Sequence, residues 1–154
     1  MKLIYSLALL WLLASGNVLA QSTDIETTRM MAEQGDPYAQ LYLGYMYDTG
    51  KGTVEDDQQA YVWYKKAADF GLPAGQHSLG IMYEEGKVVP QNHLAAYAYF
   101  YMAAVQSHDG ASAARDKAGA FLTPEQVAHA QKLAIHCIES RYTDCDFHDL
   151  ELAP

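Results

Sequence analysis

AEQGDPYAQLYLGYMYDTGKG, residues 32–52, lies without a gap over ADFGLPAGQHSLGIMYEEGKV, residues 68–88. The same offset of thirty-six residues then sets QQAYVWYKKAA (58–68) over LAAYAYFYMAA (94–104). Self-similarity at a fixed period of this size is the signature of a solenoid, in which each unit buries its apolar face only against its neighbours. Such folds mostly work by presenting an extended surface, so binding is the first expectation for function.

Each unit reads as two helices. Gly35 ends one helix, and Asp36-Pro37 begins the next as N-cap and first-turn proline. Over 37–48, Ala39, Leu43 and Tyr47 fall at i, i+4 and i+8 and form one apolar stripe. Gly50-Lys51-Gly52 breaks the chain, and Asp56 caps a second helix, with Gln59 placed to complete a capping box. Tyr61, Trp63, Tyr64, Ala67 and Ala68 supply that helix's apolar surface before Gly71 stops it. The second unit repeats these signals: Pro73 opens it, Leu79, Gly80 and Tyr83 carry the stripe, and Asn92 caps where Asp56 did. Gly44 and Gly80 are expected to let helices approach closely, since glycine inside a helix otherwise costs about 1 kcal/mol.

The flanks read as end units. Residues 23–35 align with the second helix of a unit, with Thr27 and Thr28 at its aromatic positions. Residues 109–121 form an alanine-rich helix without a clear stripe. Thr123-Pro124-Glu125-Gln126 then starts a closing helix that runs to about Ser140. The expectation is an all-α fold of about seven helices, divided into a capping helix (23–35), two repeats (36–71 and 72–107), a degenerate closing pair (108–142) and a tail (143–154).

These residues resemble the Sel-1-like repeat family, a relative of the tetratricopeptide repeats. Its pattern is met at Ala32, Gly35, Ala39, Gln40, Leu43, Gly44, Tyr47 and Gly50, then at Asp57, Ala60, Trp63, Tyr64, Ala67, Ala68 and Gly71. The second unit meets it at Gln76, Leu79, Gly80, Tyr83, Gly86, Ala96, Ala103 and Ala104. It departs with Gly75 for alanine, Tyr99-Phe100 for Trp-Tyr, and His93 for the acidic residue. The resemblance implies a short right-handed α-solenoid of antiparallel helix pairs, acting as an adaptor or scaffold in protein complexes. The shared residues are structural, so none of them carries over a binding or catalytic role.

Positions that the repeat leaves free are where a recognition surface would show. Tyr38, Tyr42 and Tyr45 sit at i, i+4 and i+7, within about 60° of one another on a helical wheel. The equivalent columns in the next unit hold Ala74, Ser78 and Ile81, so stacking does not require tyrosine there. The three tyrosines are expected to form part of a concave partner-binding surface, tyrosine being enriched at binding hot spots. The competing expectation is that they cover the N-terminal segment or pack on another subunit.

Residues 1–20 have the layout of a secretory signal peptide: Lys2, an apolar run over 3–13, and Val18-Leu19-Ala20 before the cut. The run is short for a membrane span of about 20 residues, which argues against an uncleaved anchor. The expectation is an exported protein, periplasmic or secreted, with no stable membrane insertion after cleavage. Without Lys2, nine basic side chains face nineteen acidic ones. That balance repels nucleic acid and anionic lipid and leaves neutral or basic partners, with another protein or peptide first among them.

Cys137 and Cys145 are the two cysteines of the chain. In an oxidising compartment they are expected to pair, closing a short loop worth about 2.6 kcal/mol in the chain-entropy model. Two free thiols, or a metal shared with His136 and His148, are the other readings, although the spacing matches no familiar zinc frame. No G-x-S-x-G elbow, phosphate-binding glycine loop or H-E-x-x-H helix is present, and no cofactor is expected. An exported adaptor is the leading reading. A structural or self-associating component of a cell-envelope complex is the second, and a small hydrolase or metal-binding module is a distant third.

Overall fold

Two helices of equal length make up each repeat, because the same start and stop signals recur. The computed structural model describes residues 24–143, 145 and 147. The expected signal peptide, residues 1–20, lies outside the described residues. Helix α1 occupies 24–33. It is followed by α2 (Pro37–Thr49), α3 (Asp57–Asp69), α4 (Pro73–Glu85), α5 (His93–Val105), α6 (Ala111–Gly119) and α7 (Pro124–Glu139). The described residues contain seven helices and no strand, an all-α repeat solenoid.

Starts and stops follow local chemistry. Asp36 accepts a hydrogen bond from the Ala39 N–H at 2.7 Å and so caps α2. Leu72 stands at the same point before α4 and has no side chain to do this. Gly50 and Gly86 end α2 and α4 in the left-handed conformation. At α3 the expected capping box is only half formed. Asp56 accepts from the Gln59 N–H at 3.0 Å. Its own N–H donates to the Tyr47 carbonyl at 2.9 Å, so the donor that Gln59 would have received is taken. Asn92 repeats the tie, donating its N–H to the Tyr83 carbonyl at 2.9 Å. A complete box stands at Thr123 and Gln126, which starts α7.

Packing runs in chain order through the repeats: α2 on α3, α3 on α4, α4 on α5. Both α6 and α7 then pack on α5. Helices cross closely at the two stripe glycines. A Cβ on Gly44 would lie 2.6 Å from the Tyr64 ring, and one on Gly80 would lie 2.5 Å from the Phe100 ring. The buried face of α2 is wider than the expected stripe, because Gln40 and Met46 are buried as well while Tyr47 is only partly covered. Gln40 tolerates burial by donating its amide to the Ala32 carbonyl at 3.1 Å. The Tyr47 hydroxyl remains reachable and receives Arg29 Nη2 at 2.8 Å.

The core has two parts. A small cluster joins Ile25 and Ala32 of α1 to Ala39, Leu43 and Met46 of α2 and Trp63 of α3. The larger one centres on α5 and draws in Tyr64, Leu79 and Tyr83, with Ala130, Ala134 and Cys137 from α7. No helix among the described residues is long and apolar enough to cross a membrane.

Candidate functional site: a tyrosine groove between α2 and α4

One turn of α2 separates each tyrosine from the next, and the apolar stripe already faces α1 and α3. The three rings therefore have no room in the core and point away from it. Tyr38 is 69 % exposed, Tyr42 38 % and Tyr45 41 %. The described part of the N-terminal segment, α1, packs on Ala39, Leu43, Met46 and Trp63 and leaves the three rings accessible.

They line a groove of about 280 Å³ together with Leu41, Tyr64 and Ser78. Helix α2 supplies one wall, Ser78 of α4 contributes from the facing wall, and the nearly buried Tyr64 of α3 forms the floor. On the α4 side the lining residue is the short Ser78, which stands in the column where α2 carries Tyr42. Tyr42 and Tyr45 stack with ring centroids 6.1 Å apart and planes inclined by 23°. Lys51 Nζ stands 5.7 Å from the Tyr45 ring centroid.

The floor is polar at one point. The Tyr64 hydroxyl donates to Asp48 Oδ2 at 3.2 Å. Burial, reinforced by the Asp48 carboxylate, holds the Tyr64 phenol far above its ordinary pKa, so it stays protonated and can donate to Asp48. The lining thus offers stacking surfaces and neutral hydroxyls. It contains no histidine or carboxylate paired with a nucleophile, the arrangement that acyl or phosphoryl chemistry requires.

Tyr38, Tyr42 and Tyr45 were legible in the sequence as a free column. Leu41 and Tyr64 were not, since the pattern assigned Tyr64 wholly to packing and gave Leu41 no role. Ser78 is visible in the sequence only as the smaller residue in the tyrosine column.

At the C-terminal end, Cys137 and Cys145 form a disulfide with their Cα atoms 5.0 Å apart. Both thiolates of the alternative metal reading are thereby consumed, and its fourth member, His148, lies outside the described residues. Among the described residues no group of three or more histidine, cysteine or acidic side chains converges on a metal position.

Comparison with known proteins agrees with this architecture. The sequence profile of the Sel1 repeat matches residues 37–71 and 73–108. Among solved structures, the chain is similar to c5321, a protective antigen of uropathogenic Escherichia coli strains that displays an SLR fold. The match has 33 % identity and a TM-score of 0.72, covering 79 % of this chain and 26 % of that one. It is also similar to a Sel1 repeat protein from Oxalobacter formigenes, at 32 % identity and a TM-score of 0.60, covering 75 % of this chain and 49 % of the other. This chain therefore spans about a quarter of the first and about half of the second. No curated protein matches it significantly. Proteins built from such repeats generally mediate protein–protein interactions, and this chain carries two of them in tandem, at 37–71 and 73–108, within a Sel1-like helical fold.

Proposed function

We propose that the protein is an exported adaptor that holds an extended protein segment in the groove between α2 and α4. The observation that carries this reading is the exposure of Tyr38, Tyr42 and Tyr45 beside a groove of about 280 Å³, in columns where the second repeat has no tyrosine. Three large apolar rings left accessible on one helix face cost solubility and contribute little to packing, whereas rigid rings with hydroxyl tips bind protein surfaces well. Export is supported by the signal-peptide layout of residues 1–20 and by the Cys137–Cys145 disulfide, which suits an oxidising compartment. The acidic net charge favours a neutral or basic segment over an acidic one.

The test is affinity capture from the envelope fraction with wild type and with the double variant Tyr42→Ala/Tyr45→Ala. Wild type recovers client proteins in substoichiometric amounts, and the variant binds the same clients at least tenfold more weakly, as expected for two hot-spot rings at about 1 kcal/mol or more each. Unchanged capture by the variant overturns the groove reading. Recovery of one stoichiometric companion, insensitive to both substitutions, would instead mark a structural component of an envelope assembly.

A further inference from the structure

A segment held between α2 and α4 has to find partners for its own backbone polar groups. Peptides dock on proteins by adding a strand to a sheet edge, by laying a helix face into a groove, or as a polyproline II helix on aromatic rings. The described residues contain no strand, and a helical backbone is hydrogen-bonded to itself, so the walls offer no edge to extend. The groove holds about 280 Å³. A single turn of α-helix, about 10 Å across, fills roughly 400 Å³. Strand addition and helix docking therefore both fail here.

The third mode fits the spacing of the rings. Tyr38 and Tyr45 are seven residues apart on α2, about 10.5 Å along its axis. A polyproline II helix repeats every three residues, about 9.3 Å. Tyr42 stands between them, stacked on Tyr45 with centroids 6.1 Å apart. The column thus matches one turn of such a helix, with residues three apart meeting the outer two rings. Polyproline II makes no internal hydrogen bonds, so its carbonyls are free to accept from the phenol hydroxyls. Proline also fixes φ near −65°, so the segment is ordered before it binds and loses little chain entropy.

Charge narrows the ligand further. The lining is tyrosine, leucine and serine, and a charged side chain seated there would lose its water without gaining a counter-charge. At the C-terminal end of α2 the surplus is acidic. Asp48 receives the Tyr64 hydroxyl, while Asp57 and Glu85 share Lys87 at 3.9 and 3.6 Å. Lys51, beside Tyr45, adds a second cation to that end, and the chain as a whole has a formal net charge of −9. Such a field favours a basic flank on whatever docks. Taking the groove as the binding site, we infer that it recognises a proline-rich segment in the polyproline II conformation, uncharged where it lies on the rings and basic where it leaves them.

The test titrates fluorescent peptides of equal length onto the full chain: a lysine-flanked oligoproline, a glutamate-flanked oligoproline and a lysine-flanked glycine–serine peptide. The first should bind at least tenfold more tightly than the third. It should bind severalfold more tightly than the second, a gap that closes in high salt. Tyr42→Ala/Tyr45→Ala should weaken oligoproline binding at least tenfold with helicity unchanged by circular dichroism, and Tyr38→Ala should weaken it severalfold. Equal binding of oligoproline and the glycine–serine peptide overturns the polyproline II assignment, and equal binding of the two oligoprolines overturns the basic flank. Oligoproline should also displace clients captured from the envelope fraction. Clients that need Tyr42 and Tyr45 yet stay bound under excess oligoproline overturn the ligand class and leave the groove in place. Clients that need neither tyrosine overturn the groove itself.

Discussion

The two repeats share one frame and differ in what surrounds them. Helix α3 buries five of its thirteen residues, whereas α5 buries nine of thirteen. The reason is position: α5 receives α4, α6 and α7, and its Tyr99 also meets Phe147, so few of its faces remain for water. The sequence follows suit. Trp63-Tyr64 of the first repeat becomes Tyr99-Phe100 in the second, and the polar Gln58-Gln59 becomes Leu94-Ala95. Tyr64 keeps a hydroxyl because it meets both the groove and Asp48, while the Phe100 ring is fully buried, lying against Gly80 and 5.3 Å from the His77 ring. One repeat is built to be covered and the other to remain partly open. The division suggests that stability resides mainly in the second and recognition in the first.

The largest expected effect tests that division directly. Phe100→Ala removes a ring closed in on all sides and is expected to cost about 4 kcal/mol of unfolding free energy. Tyr64→Ala opens onto the groove, where water can fill the space, and is expected to cost about 2 kcal/mol. Urea unfolding of the two variants against wild type measures the difference. Equal losses would mean that the repeats contribute alike.

The next effect concerns the seam between the repeats. Where the first has Ala39, the second has Gly75, and glycine-to-alanine changes inside helices ordinarily stabilise by about 1 kcal/mol. Here a Cβ would lie 2.9 Å from the Ala68 backbone nitrogen and 3.0 Å from the Ala67 Cβ. Backbone cannot swing aside as a side chain can, so an overpacking cost of about 1–3 kcal/mol outweighs the propensity gain. Gly75→Ala is therefore expected to lower the thermal midpoint. A rise would show that α3 and α4 have slack to separate.

These contrasts also mark how far sequence reasoning reached. Caps and prolines placed the helix starts within two residues, because they act locally: Asp36-Pro37, Asp56 and Thr123-Pro124 each begin the expected helix. The close approaches at Gly44 and Gly80 were legible for the same reason, a glycine recurring where each helix faces a ring. What escaped was anything set by three elements at once. The tie from Asp56 N–H to the Tyr47 carbonyl depends on how α2 meets α3, and no capping pattern encodes it. Tyr64 as groove floor depends on how α2, α3 and Ser78 of α4 come together. The turn after α7 runs through Arg141 and Tyr142, residues with no propensity for left-handed backbone and hence no local signal.

A smaller effect follows from His77 on α4. Its ring lies 5.1 Å from that of His108 and 5.3 Å from Phe100. Burial, and then His108, hold its pKa below the ordinary value of 6.5. The folded protein therefore binds this proton less readily than the unfolded chain does. The contribution of His77 to stability is complete above about pH 6.5 and is lost as pH falls through the lower folded value. Urea midpoints at pH 7.5 and pH 5 should fall on acidification in wild type and fall less in His77→Gln. An identical acid dependence in both would place the titration on other histidines, and the second repeat would lose its claim to a buried acid-sensitive contact.

The smallest expected stability effect belongs to the open repeat. Tyr42 and Tyr45 are well exposed and their main described ring contact is with each other, at 6.1 Å, with Lys51 beside Tyr45. Replacing both removes one stacked pair worth about 0.5–1.5 kcal/mol and uncovers little core. The double variant Tyr42→Ala/Tyr45→Ala is thus expected to unfold within about 1 kcal/mol of wild type, far less than Phe100→Ala loses from a single ring. Urea midpoints of the two variants side by side decide the matter. If the tyrosine pair proves as costly as Phe100, the rings are packing residues after all, and the first repeat has no surplus surface with which to recognise a partner. If it proves nearly neutral, folding gives no reason for three exposed tyrosines on one helix face, and recognition becomes the physical explanation for keeping them there.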